Sequence, residues 1–238
     1  MLWLSAFTDE ENLAIRPVWA LEHGFRTLVV MSILLIRHGE TDSNRARVVQ
    51  VPETPLSSRG LRQAERLAMR LAQRPLAAIL TSDLARAEQT AQAVSRVTGV
   101  ALEREPLLQE RHFGDIRGTA YADLEESPFG PDYVPPGGES WPVFHERVNH
   151  AWAKIVESTA GLDGDLAVVT HGLVLHSLTV RHLQWAEPDS PAAENGPPLS
   201  FGNTSVSVVD AHPPWRVRQH ACVAHLDEEF GPEGVSGL

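Results

Sequence analysis

Leu34-Leu35-Ile36-Arg37-His38-Gly39-Glu40-Thr41-Asp42-Ser43-Asn44 opens on an apolar run and closes on charge. The run reads as a buried strand, which leaves Arg37 and His38 at its carboxyl end. Open parallel sheets place their ligands there, so both side chains should face a crevice and not a core. A guanidinium beside an imidazole suits a phosphoryl group. The reading therefore turns on whether the partners of such chemistry stand at other strand ends.

Working outward, β and α patterns alternate. Residues 33–37 form the first strand, and a polar loop with Pro52 and Pro55 leads to a helix over about 57–73. There Leu61, Ala64, Ala68 and Leu71 recur at helical spacing, and Arg59, Arg62, Arg66 and Arg70 read as a solvated face. A second strand over 76–81 precedes a helix that Ser82 or Asp83 can cap and Gly99 ends, followed by a short strand near 100–102. Residues 106–139 carry Pro128, Pro131, Pro135, Pro136 and Gly137-Gly138, which predicts loop with one helical turn near 120–125. Ser140 then caps a long helix with Trp141, Phe144, Val148, Trp152 and Ile155 on one stripe. A strand over 165–170, a helix to about residue 184, and two alternating runs over 205–210 and 215–223 complete the pattern. The last two read as an antiparallel pair at one side of the sheet. The fold class is α/β, a three-layer α/β/α sandwich with a mostly parallel central sheet.

Composition bounds the function. A chain of 238 residues, 42% hydrophobic, buries one sizeable core. The formal charge of −11 argues against a broad nucleic-acid-binding surface, whereas a small phosphorylated substrate needs only a local basic pocket. Cys222 is the sole cysteine, so no intrachain disulfide forms and a reducing cytoplasm fits. No stretch approaches the roughly 20 apolar residues that span a bilayer, and Asp9, Glu10 and Glu11 interrupt any signal-peptide core. Met31 sits just before the first strand. Residues 1–30 are therefore expected to be an extension outside a 31–238 domain, the alternative being an ordered helix over 8–22 that packs on it.

Three further tracts supply the missing partners. In Thr81-Ser82-Asp83-Leu84-Ala85-Arg86-Ala87-Glu88-Gln89-Thr90-Ala91, Arg86 falls in the first turn of a helix, where the helix amino terminus and the guanidinium both favour an anion. In Val168-Val169-Thr170-His171-Gly172, His171 repeats the strand-end geometry of His38. Leu107-Leu108-Gln109-Glu110-Arg111-His112-Phe113-Gly114-Asp115 brings carboxylates, and Glu103, Glu105, Glu110 and Asp115 all compete for the role of proton donor.

These four tracts resemble the motifs of the histidine phosphatase, or phosphoglycerate mutase-like, superfamily. The resemblance implies that His38 attacks phosphorus and is transiently phosphorylated, that Arg37, Arg86 and His171 hold the phosphoryl oxygens, and that Glu110, at the matching position, serves as the acid. It assigns Asn44 and Gly172 to substrate binding. It also implies chemistry without a metal or an organic cofactor. The activity it suggests is hydrolysis of a small phosphomonoester. A 2,3-bisphosphoglycerate-dependent phosphoglycerate mutase is the alternative, although Phe113 replaces a tyrosine and Leu173 an asparagine of those mutases. A non-catalytic module that binds a phosphorylated ligand is a third reading. Specificity is expected in the loop 119–139, where Tyr121, Phe129 and Tyr133, with Trp141 beyond it, could flank a sugar or an aromatic group; oligomeric state is open.

Overall fold

The structure is a computed structural model, and it describes residues 31–185 and 200–226. The extension expected over 1–30, with its alternative helix over 8–22, lies outside the described residues, as do 186–199 and 227–238.

Six strands form one sheet: β1 (Ser32–Arg37), β2 (Leu76–Thr81), β3 (Leu102–Arg104), β4 (Asp165–Thr170), β5 (Val206–Asp210) and β6 (Val217–Cys222). Their order is β3-β2-β4-β1-β5-β6. The first four run parallel, β5 is antiparallel to β1, and β6 is antiparallel to β5. The expected α/β sandwich and its antiparallel side are thus present.

Why the central strands are apolar throughout follows from the layers. Leu34 and Ile36 pack with Ala167 and Val169 against the helices α2 (Ser58–Leu71) and α3 (Ala85–Thr98). The alternate residues Ile33, Leu35, Leu166 and Val168 face α4 (Trp141–Ser158) and α5 (Gly172–His182). A parallel strand covered on both faces must be hydrophobic at every position. Each fully buried Leu or Ile contributes about 1.5–3 kcal/mol. The one carboxylate here, Asp165, is 1% exposed and fully engaged, accepting from Ser32 N at 2.8 Å and from Arg74 Nε at 2.6 Å.

This topology positions the site. From β1 the chain passes over one face through the short helix α1 (Asp42–Ala46) and α2, whereas from β4 it passes over the other through α5. The crevice between the adjacent carboxyl ends of β1 and β4 is therefore a switch point, where such sheets bind ligands.

Several local expectations are corrected. In α2, Leu61 is 48% exposed, and the inward stripe is Gly60, Gln63, Ala64, Leu67, Ala68 and Leu71. Gln63 is polar yet buried because its Oε1 accepts from Glu40 N at 2.8 Å. Gly60 is required by close approach: a Cβ there would lie 2.0 Å from the Glu40 carbonyl oxygen. The arginine row is not simply solvated either, since Arg70 donates to Cys222 O at 3.1 Å and to Gln219 Oε1 at 3.1 Å, tying α2 to β6. Helix α3 starts after Leu84 with no side-chain cap, and Gly99 ends it with φ 75°. The short strand β3 lies two residues beyond its expected place.

Residues 106–139 contain three single 3₁₀ turns, including Tyr121–Asp123 within the expected helical turn. Two arginines organise the stretch. Arg111, 1% exposed, donates to the carbonyls of Glu139, Pro128 and Tyr133 at 3.0, 3.1 and 2.6 Å and lies 3.9 Å from the Trp141 ring centroid. Arg147 of α4 clasps Glu139 with two 2.7 Å bonds and reaches the carbonyls of Leu107 and Gln109 at 2.8 Å. A long loop becomes a fixed wall because its carbonyls have charged partners.

Candidate active site

Arg37 and Thr170 are register partners in the β1–β4 pair, so the residues that follow them, His38 and His171, emerge side by side. Their ring centroids are 5.2 Å apart with planes tilted by 56°. Arg37, His38, Asn44, Arg86, Glu110 and Gly172 line one pocket, and His171, fully buried, packs directly behind them against the His38 ring. All seven residues singled out by sequence are thus brought together. The competing carboxylates are not among the pocket-lining residues: Glu105 caps the turn that follows it through Leu107 N at 2.9 Å, and Glu103 is exposed on β3.

Each group is held from behind. His38 Nδ1 donates to the Gly39 carbonyl at 2.7 Å, which fixes the tautomer and leaves Nε2 with its lone pair. Gly39 N in turn donates to Thr90 Oγ1 at 3.0 Å, so α3 holds the loop that carries the histidine. Arg37 donates through Nη1 to Phe201 O at 2.5 Å and Arg86 to Val51 O at 3.3 Å. The Nε of both arginines, and Nδ1 of His171, are buried without a hydrogen-bond partner among the described residues. Buried donors of this kind call for an acceptor from outside the chain.

Burial, reinforced by Arg86 and Arg37, holds the His38 pKa well below the ordinary 6.5. Burial, then Arg86 and the neighbouring His38, does the same to His171. Both rings are therefore neutral at pH 7, as a nitrogen nucleophile must be. Burial brings Arg86 down to about 10, opposed by Glu110 and assisted by Arg37, and it stays cationic. Glu110 moves the other way. Burial pushes its carboxyl above 4.5, against the lowering effect of the Arg111 and Leu173 backbone N–H groups, which its oxygens accept at 3.0 and 3.2 Å, and of the two arginines. A neutral imidazole, two fixed cations and a carboxyl that holds its proton more tightly than usual are components that phosphoryl transfer can use.

The profile of the histidine phosphatase superfamily (branch 1) matches residues 33–220. The chain belongs to that superfamily. A relative, phosphoglycerate mutase-like protein 4 of Arabidopsis thaliana, is 32% identical over 230 residues, covering 86% of this chain and 94% of its own. Among solved structures, Bacillus stearothermophilus YhfR superposes with a TM-score of 0.69 at 28% identity, covering 82% of this chain and 99% of its own. A mycobacterial glucosyl-3-phosphoglycerate phosphatase, solved as a complex with VO3, gives 0.64 at 27% identity, covering 80% and 97%.

Within this histidine phosphatase pocket some residues escaped the sequence reading. Ser82 was assigned to a helix cap, yet its Oγ lies 2.9 Å from His171 Nε2 and accepts from Leu84 N at 3.3 Å. Its place at the end of β2 was the available signal. Gln50 and Arg117 also line the pocket, and Asn203 Nδ2 reaches Asn44 Oδ1 at 3.5 Å and His38 O at 3.1 Å. Nothing local distinguishes Arg117 from a surface arginine. Of the expected recognition aromatics, Tyr121 and Phe129 line the pocket, joined by Phe113. The Trp141 ring instead covers the Arg111 guanidinium, which Tyr133 meets through its backbone carbonyl.

Proposed function

We propose that this member of the superfamily is a metal-independent phosphatase that hydrolyses a small phosphomonoester through a phosphohistidine at His38. The observation that carries the reading is the Nδ1 hydrogen bond of His38 to Gly39 O, which leaves a neutral Nε2 beside Arg37 and Arg86. Nε2 attacks phosphorus, the N–P bond forms as the ester P–O bond breaks, and Glu110 gives its proton to the departing alkoxide. Arg37 and Arg86 hold the equatorial oxygens through charge that does not reorganise during the step. The Ser82 hydroxyl, having accepted the Leu84 N–H, donates its own hydrogen to His171 Nε2. That puts the His171 proton on Nδ1, a further donor to the phosphoryl group. Ionised Glu110 then takes a proton from water, whose oxygen displaces His38 from phosphorus and releases phosphate. Asn44 and Gly172 complete the contacts to the bound group.

The name of the Arabidopsis relative favours a second reading, transfer between positions of phosphoglycerate. Phe113 and Leu173 count against it: the resemblance gives the mutases a tyrosine that binds phosphoglycerate at the first position and an asparagine at the second. A burst of p-nitrophenol followed by steady turnover supports the phosphatase, provided that His38→Ala removes both phases. Conversion of 3-phosphoglycerate primed by 2,3-bisphosphoglycerate, without net phosphate release, supports the mutase. Binding of phosphate without either activity would leave only a non-catalytic module.

Among the described residues no helix is long and apolar enough to cross a membrane. With its acidic charge and single cysteine, we place the enzyme in the cytoplasm, acting on metabolites and not on nucleic acid.

A further inference from the structure

The pocket has two unlike halves. One holds the charged groups described above. The other is aromatic: Tyr121 meets Phe129 edge-on, with centroids 5.4 Å apart and planes at 90°, and Phe129 meets Phe113 at 6.1 Å and 83°. Tyr121 is fixed in place from its backbone. Its N–H donates to Arg47 O at 2.9 Å, beside a bridge between Val48 and Ala120, so the aromatic loop is pinned to the segment that follows α1. The Arg47 guanidinium lies 5.7 Å from the Tyr121 ring centroid.

Among the described residues no hydrogen bond engages the Tyr121 hydroxyl. Tyr121 nonetheless lines the same pocket as Glu110, Arg37 and Arg86, and burial with the charge of Glu110 raises its pKa above 10, keeping the phenol protonated as a donor. An amphipathic side chain with its ring packed and its hydroxyl free toward a charged pocket is an arrangement that binding sites use to orient a ligand.

Resting on the phosphatase reading, we propose that Tyr121 is a specificity-determining residue and that the substrate is a cyclic sugar phosphate. The aromatic wall of Tyr121, Phe129 and Phe113 takes the flat C–H face of the ring, and the Tyr121 hydroxyl bonds to an oxygen of the sugar ring. An open-chain phosphate fills neither contact well.

The test compares glucose 6-phosphate with glycerol 3-phosphate, which both leave as primary alkoxides and so place equal demands on Glu110. Wild-type enzyme is expected to prefer the sugar by at least about tenfold in kcat/KM, the gain of one or two added contacts. Tyr121→Phe, which retains the ring and its packing, is expected to raise KM for glucose 6-phosphate about fivefold with little change in kcat, and Phe129→Leu to narrow the preference for the sugar. Equal kcat/KM for the two substrates, or a Tyr121→Phe variant whose preference matches wild type, overturns the proposal while the phosphatase reading stands. Failure of wild-type enzyme to hydrolyse either substrate or p-nitrophenyl phosphate overturns both.

Discussion

The Ser82 hydroxyl lies 2.9 Å from Nε2 of His171, although 89 positions separate the two in sequence. The contact exists because β2 and β4 are hydrogen-bonded neighbours whose carboxyl ends coincide, with Thr81 opposite Val169. In the proposed mechanism a serine at one strand end thereby sets the tautomer of a histidine at the next. Ser82→Ala is expected to lower kcat about three- to tenfold, the worth of one hydrogen bond to a reacting group, with KM for substrate nearly unchanged. Steady-state kinetics checks this. A variant that loses thermal stability but keeps wild-type kcat would show that the contact only supports packing.

The two sides of the pH profile follow from opposite shifts. His38 must be deprotonated to attack, and its lowered pKa puts the acid limb of kcat/KM below the ordinary histidine value of 6.5. Glu110 must be protonated to donate, and its raised pKa carries the alkaline limb above the ordinary 4.5. Alkyl phosphates should therefore turn over best between these two limbs. Glu110→Gln should remove the alkaline limb and slow alkyl phosphates by about 10²- to 10⁴-fold, yet slow p-nitrophenyl phosphate, whose leaving group needs little protonation, far less. Equal slowing of both substrates would displace Glu110 as the acid.

How much of this was legible in the chain depended on whether a signal was local. His38 and His171 each end an apolar run of strand length, and Arg86 opens a helix, so their positions could be read from their immediate neighbours. The layers followed in the same way, from the two-sided apolar character of β1 and β4. Gln63 and Leu61 exchanged places because the inner face of α2 is set by the backbone of Glu40 and not by hydrophobicity alone. Arg70 seemed solvated since its partners Cys222 and Gln219 lie about 150 residues away. Arg117 and the Phe113–Phe129–Tyr121 wall depend on how a proline-rich loop folds back, which no short-range period encodes.

Stability should carry its own acid dependence through His225. Burial, with a smaller effect from Arg70, lowers its pKa from 6.5 to about 4. Its Nδ1 sits 3.2 Å from Arg70 Nη1 and its Nε2 3.1 Å from Thr204 Oγ1. Because the folded value is depressed, its contribution is present above pH 6.5 and is lost as pH falls toward 4, where the unfolded chain takes up the proton first. The loss amounts to about 2–3 kcal/mol. Denaturant titrations at pH 7 and pH 4.5 should show a smaller pH difference for His225→Gln than for wild type; an identical difference would contradict the assignment.

Chelation should leave the chemistry untouched. Arg37 and Arg86 supply the charge that a divalent ion supplies in other phosphoryl-transfer sites. Turnover of p-nitrophenyl phosphate is expected to be unchanged after dialysis against EDTA. Activity lost on dialysis and restored by magnesium would refute the metal-free mechanism.

The account stands most directly on the identity of the atom that bonds to phosphorus. Rapid mixing of enzyme with substrate, an alkaline quench that preserves phosphohistidine, and peptide mass spectrometry locate the label. The account predicts one phosphoryl group on the peptide that carries His38, absent in His38→Ala together with about four orders of magnitude of turnover. A phosphoryl group on His171 or on any other side chain, or steady hydrolysis by His38→Ala at a rate near wild type, would contradict it.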